Sequence, residues 1–101
     1  MALKLDCADG EITAWLDGEI DHHAASGIRE QIDEAVDRLR PQVLTLDFRN
    51  VTFMDSSGIG LVMGRYRLIQ ETGGRLVIRH TSQHIRKVMR LAGIDRLAEF
   101  Q

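Results

Sequence analysis

Val51-Thr52-Phe53-Met54-Asp55-Ser56-Ser57-Gly58-Ile59-Gly60-Leu61-Val62-Met63-Gly64 is the stretch whose reading decides the fold. It opens with apolar residues, breaks at Asp55-Ser56-Ser57-Gly58 and resumes with helical spacing. Ile59, Val62, Met63, Tyr66 and Ile69 fall at i, i+3, i+4, i+7 and i+10, one face of a helix. Asp and Ser at the break are residue types that cap helices, because a short side-chain oxygen accepts an orphan N–H of the first turn. Ser57 is the expected structural cap. Two serines therefore lie where backbone donors and the positive helix end converge, a place that tolerates an anion, including a phosphate carried on a serine.

Downstream, the helix is expected to run to Thr72 and to stop at Gly73-Gly74. Residues 75–79 read as a short buried strand. Ser82 can cap a third helix that turns Ile85, Val88, Met89 and Ala92 inward and Arg86, Lys87 and Arg90 outward, with Gly93 as its stop. Residues 97–100 suit a last, edge strand. Upstream, residues 43–46 form a buried β-branched run leading to Asp47. Before it, Asp21 is a plausible N-cap for a helix with Ile28, Ile32, Ala35, Val36 and Leu39 as its core stripe, ended by Pro41. At the start, residues 2–7 and 11–16 alternate around an Ala8-Asp9-Gly10 turn, with Ile12, Ala14 and Leu16 on one face and Thr13 and Trp15 on the other. Trp15 is read as half covered by its neighbours; the sharper alternative is a partner contact. The order ββαβαβαβ indicates a mixed sheet in one α/β domain over residues 1–101, with no repeat or linker.

At 101 residues and 44% hydrophobic, the chain can build one real core. A net charge of −2 leaves no basic footprint for nucleic acid. The single cysteine, Cys7, cannot form an internal disulfide, fits a reducing compartment and is expected as a small core residue. No apolar run is long enough to span a membrane and the first residues lack a signal pattern, so a soluble cytoplasmic protein without membrane attachment is expected.

Other chemistries fit the motif less well. A hydrolase elbow needs Gly-x-Ser-x-Gly, and neither Ser56 nor Ser57 has a glycine two positions before it. Gly58-x-Gly60-x-x-x-Gly64 is one residue too long for a dinucleotide loop, and Asp55 would repel a pyrophosphate. His22-His23 and the His80/His84 pair present no chelating face and read as surface residues, so no metal is expected. On the second helix, Ser57, Leu61, Gly64 and Leu68 lie opposite the stripe read as core. An exposed mid-helix glycine costs about 1 kcal/mol relative to alanine. A Leu-Gly-Leu stripe starting at the cap therefore reads as a docking ridge, against the blander reading of incidental exposure.

Gly18-Glu19-Ile20-Asp21-His22-His23, Phe53-Met54-Asp55-Ser56-Ser57-Gly58-Ile59-Gly60 and Gly64-Arg65-Tyr66 resemble the hallmark segments of the STAS-domain anti-sigma factor antagonists, closest to the sporulation, anti-sigma F type. The resemblance runs through nearly the whole chain. It implies a mixed sheet with helices mainly on one side, and a non-enzymatic partner switch. The unphosphorylated form would bind an anti-sigma factor that is also a serine kinase, releasing the sigma factor. Phosphorylation of Ser56 by that kinase would end the interaction, and a serine phosphatase would restore it. ATP would belong to the kinase, and this chain would need no cofactor. The resemblance also sets the first loop, with Asp21, beside the serine, so that Asp21, Asp55, Ser56, Ser57, Gly58, Leu61, Gly64 and Leu68 form the expected partner surface. The family usually carries a further C-terminal helix, whereas this sequence ends at Gln101. Two alternatives remain: a STAS domain that binds a small ligand on its sheet, with the serine only a cap, and a small serine-nucleophile enzyme.

Overall fold

The hairpin that starts the sheet is set by Asp9 and Gly10, both in the left-handed region (φ 54° and 76°), as a tight turn between right-twisted strands requires. A computed structural model describes residues 3–101. The turn joins β1 (Leu3–Ala8) to β2 (Glu11–Ile20); α1 (His22–Leu39), β3 (Val43–Met54), α2 (Ser56–Glu71), β4 (Arg75–Arg79) and α3 (Gln83–Leu91) follow. A 3-10 turn at Ile94–Arg96 then leads into β5 (Glu99–Phe100).

The sheet order is β1-β2-β3-β4-β5, with β1 antiparallel to β2 and every later pair parallel. The three parallel crossovers all step the same way across the sheet. Because such crossovers share one hand, their helices belong on one face. That face is where the apolar residues collect: Ile12, Ala14 and Leu16 of β2, Leu44, Leu46 and Phe48 of β3, and Leu76 and Ile78 of β4 join Ile28, Ile32, Val62, Ile69 and Met89 of the helices in one core. The expected mixed α/β sheet with helices on one side is the fold observed.

Several boundaries and faces differ from the sequence reading. β2 continues past Leu16 to Ile20, through two register shifts and a left-handed Gly18 (φ 80°), and pairs with a β3 that runs to Met54. Leu39 is 42% exposed and not core, because α1 ends there on a left-handed Arg40 (φ 48°). Cys7, on the edge strand β1, is exposed and not core. In α3 only Ile85 and Met89 are buried; Val88 is half-buried and Ala92 exposed. The last strand is reduced to residues 99–100, and Ala2, expected in the first, lies outside the described residues.

The uncovered face of the sheet carries a polar knot that the sequence did not announce. Asp47, 1% exposed, accepts from the Arg49 backbone N–H (2.9 Å), Arg79 Nε (3.1 Å) and His80 Nδ1 (2.8 Å). Burial alone would push this carboxyl up, but the bonds from Arg49, His80 and Arg79 outweigh it and hold it below the ordinary value. Arg49 Nη2 also reaches His80 Nε2 at 3.0 Å, so this histidine is held in a network and is not a free surface group. Trp15 lies half-buried beside it, donating to Asp6 (2.7 Å) with the Arg79 guanidinium 5.3 Å from its ring centre. The half-covered reading of Trp15 is the one observed.

Candidate functional site

β2 and β3 run parallel and in register at their ends, Ile20 beside Met54, so the residues that follow them start two helices side by side. The Asp55 N–H bonds to the Ile20 carbonyl at 3.3 Å and ties the two starts together. Both helices are capped by the aspartate that follows the strand. Asp21 accepts from the Ala24 N–H at 2.9 Å, and Asp55 from the Ser57 N–H at 2.8 Å. The cap of α2 is therefore Asp55, not Ser57; Ser56 and Ser57 are its first two helical residues. Two positive helix ends and two carboxylates meet at this rim of the sheet.

Ser56 is exposed and Ser57 half-buried. The expectation that loose N–H groups would hold a phosphate here needs correction. The Ser57 N–H is taken by the Asp55 carboxylate and the Gly58 N–H by the Asp55 carbonyl at 3.0 Å. An anion on Ser56 would keep the favourable helix end and face a neighbouring carboxylate, with neither of those donors free to lock it down.

The faces of α2 also need correction. Its buried residues are Gly58, Leu61, Val62, Arg65 and Ile69, while Ile59, Met63, Tyr66 and Leu68 are half-buried against the core. Leu61, expected on an exposed ridge, is 4% exposed. The cause is a second neighbour: α2 packs against α1 as well as the sheet, so its apolar arc is wider than one stripe. Gly58 is buried too. A Cβ there would overlap the Met54 side chain, coming 2.6 Å from Sδ, so this glycine lets α2 start tight against β3. Gly64 keeps the orientation read from the sequence, since a Cβ there meets nothing within 4 Å.

What replaces the ridge is a groove of about 610 Å³ between α1 and α2. Gly60, Gly64, Ala25 and Ser26 leave it wide, His22 and Ser57 line it, and Leu61, Arg29 and Arg65 complete it. Of the expected partner residues, the structure gathers Asp21, Asp55, Ser56 and Ser57 at one rim and Gly64 beside the groove. Gly58 and Leu61 are buried beneath, and Leu68 is half-buried further along. Arg29 and Arg65 were missed, because a charged residue within a helical pattern reads as solvated; the Gly64-Arg65-Tyr66 segment was the available signal.

Comparison with known proteins agrees with this fold. The family model for the STAS domain matches residues 3–101, and the chain belongs to the STAS-domain family. It is similar to the anti-sigma F factor antagonist of Paenibacillus polymyxa, with 31% identity over 97 residues, 96% of this chain and 83% of that protein. Among solved structures, the anti-sigma factor antagonist SpoIIAA in its unphosphorylated form is 33% identical with a TM-score of 0.87, covering 99% of this chain and 88% of that one. The phosphorylated form of the Bacillus cell fate determinant SpoIIAA gives 33% identity and a TM-score of 0.80 over 99% of this chain and 91% of that one.

Proposed function

We propose that this protein is a phosphorylation-controlled, non-enzymatic anti-sigma factor antagonist of the cytoplasm. In its unphosphorylated form it binds an anti-sigma factor that is a serine kinase and so frees a sigma factor. The kinase, using its own ATP, then modifies Ser56, and a serine phosphatase reverses the mark. The observation that carries this reading is the placement of Ser56, exposed at the first position of α2 while the neighbouring Asp55 does the capping. Its hydroxyl is therefore not needed for the fold and is free to be modified. The relatives above support the partner class, and the solved phosphorylated form of one of them supports the modification.

A phosphate adds about −1.5 to −2 charges. At this exposed helix start the fold tolerates it, whereas an interface packed onto Ser56 does not, since a buried, unpaired dianion costs several kcal/mol. The change is local, at the interface, with no refolding. Incubation with the cognate anti-sigma factor and ATP, followed by intact mass and peptide mapping, tests the reading: one phosphate on Ser56 is expected. Absence of phosphate together with absence of binding contradicts it.

A further inference from the structure

The groove between α1 and α2 holds a buried, ion-paired guanidinium whose hydrogen bonds helix packing leaves unmade. Arg65 crosses from α2 towards α1 with its side chain 7% exposed and Nε 2.9 Å from Asp33 Oδ1. That contact is not aligned as a hydrogen bond, and neither Arg65 Nε nor Arg65 Nη1 has a hydrogen-bond partner among the described residues. A guanidinium carries five donors, and buried donors left unmade are expensive. Asp33 Oδ1, which faces it, is likewise buried without a hydrogen-bond partner, although the Asp33 side chain as a whole is 39% exposed. Arg29, one turn earlier on α1, lines the same groove and acts on Arg65 as a like charge. Two guanidiniums thus stand against one half-solvated carboxylate, in a groove kept open by Gly60 and Gly64.

We propose that this groove is the socket for an acidic side chain, Asp or Glu, of the anti-sigma factor, which enters over Gly64 and pairs with Arg65 and Arg29. The assignment rests on the binding reading above and adds the chemistry of the anchor. A carboxylate matches the planar fork of a guanidinium. It supplies a second negative charge where two guanidiniums share one carboxylate, and an acceptor for Arg65 Nη1, which has none among the described residues. Ser57 lines the groove and Ser56 precedes it on the rim, so a phosphate on Ser56 opposes an incoming carboxylate by like charge.

The test is calorimetric titration of the anti-sigma factor with the parent, with Arg29→Glu, and with the paired variant Asp33→Leu/Arg65→Met. Arg29 is exposed, so reversing its charge leaves the core intact. The paired variant removes both charges of the helix–helix contact, which is often neutral for stability. Each variant is expected to melt with the parent and to lose at least about tenfold in affinity. An acidic-to-Arg substitution in the anti-sigma factor should restore binding to Arg29→Glu. If the parent binds and both variants bind equally well, the socket is overturned while the binding reading stands; if the parent does not bind, both fall. Should the paired variant fail to fold, Arg29→Glu decides alone. Inorganic phosphate that binds the free protein without weakening the anti-sigma factor assigns the groove to a small anion and overturns the socket.

Discussion

Ser56 and Asp21 differ in what their side chains hold up, and variants separate the roles. Ser56 makes no capping bond, so Ser56→Ala is expected to melt and bind like the parent and to incorporate no phosphate. Phosphate appearing on Ser57 or Thr52 would contradict the assignment. Ser56→Asp supplies one charge where phosphate supplies nearly two, so it should weaken binding partially without changing the melt. Asp21 does hold a bond, to the Ala24 N–H. Asp21→Ala is expected to cost about 0.5–2 kcal/mol in denaturant melts. Asp21→Asn can still cap, so it should recover that stability; if the carboxylate also serves the site, its phosphorylation rate or affinity stays altered. An Asn variant identical to the parent in melt, rate and affinity would reduce Asp21 to a cap. At this scale the sequence was informative where chemistry is local: both aspartates are residue types that cap. It could not say which of three adjacent polar residues capped α2, because that depends on where β3 ends.

Within α2, two glycines that look alike in the sequence have opposite surroundings. Gly58→Ala should destabilise by about 1–3 kcal/mol, because the new methyl meets the Met54 side chain near its root, where it cannot swing clear. Gly64→Ala should stabilise by up to about 1 kcal/mol, since its Cβ has open space and alanine is the better helix former. Equal effects in urea melts would show that the helix face is misplaced. Gly64→Leu should also fold, but it fills the groove and should impair anti-sigma factor binding; a variant that binds like the parent would remove the groove from the interface. Periodicity found this helix and missed part of its face. Ile59, Val62, Met63, Tyr66 and Ile69 do repeat helically, but one helix packed on two neighbours buries two overlapping stripes. Arg65 is buried because α1 offers Asp33, a contact that no window of sequence contains.

Across the molecule, element order and the hairpin turn were legible because strand alternation, helical periodicity and stop glycines are short-range rules, while helices on one side of the sheet came from the family resemblance. The extra length of β2 and β3 and the Asp47 network were not legible, because both arise from residues more than thirty positions apart meeting in the sheet. Asp47, inside β3, joins that strand to the end of β4. Asp47→Ala should cost about 1–3 kcal/mol, since Arg79 and His80 can turn to water while the Arg49 N–H loses its acceptor. Its folded pKa is depressed, so its contribution is fully present above the unfolded value of about 4 and is lost as pH falls through the folded one. The gap between parent and variant in denaturant melts should therefore be present at neutral pH and close below about pH 4. A gap that widens in acid would contradict the network. The fold presents Ser56 exposed at the rim of the sheet, where the proposed function has one phosphate decide binding. The direct measurement is affinity for the anti-sigma factor before and after stoichiometric phosphorylation of Ser56, with a melt of each form. The account predicts a loss of about 100-fold or more, roughly 2.8 kcal/mol, with melting unchanged; equal affinity of the two forms would contradict it.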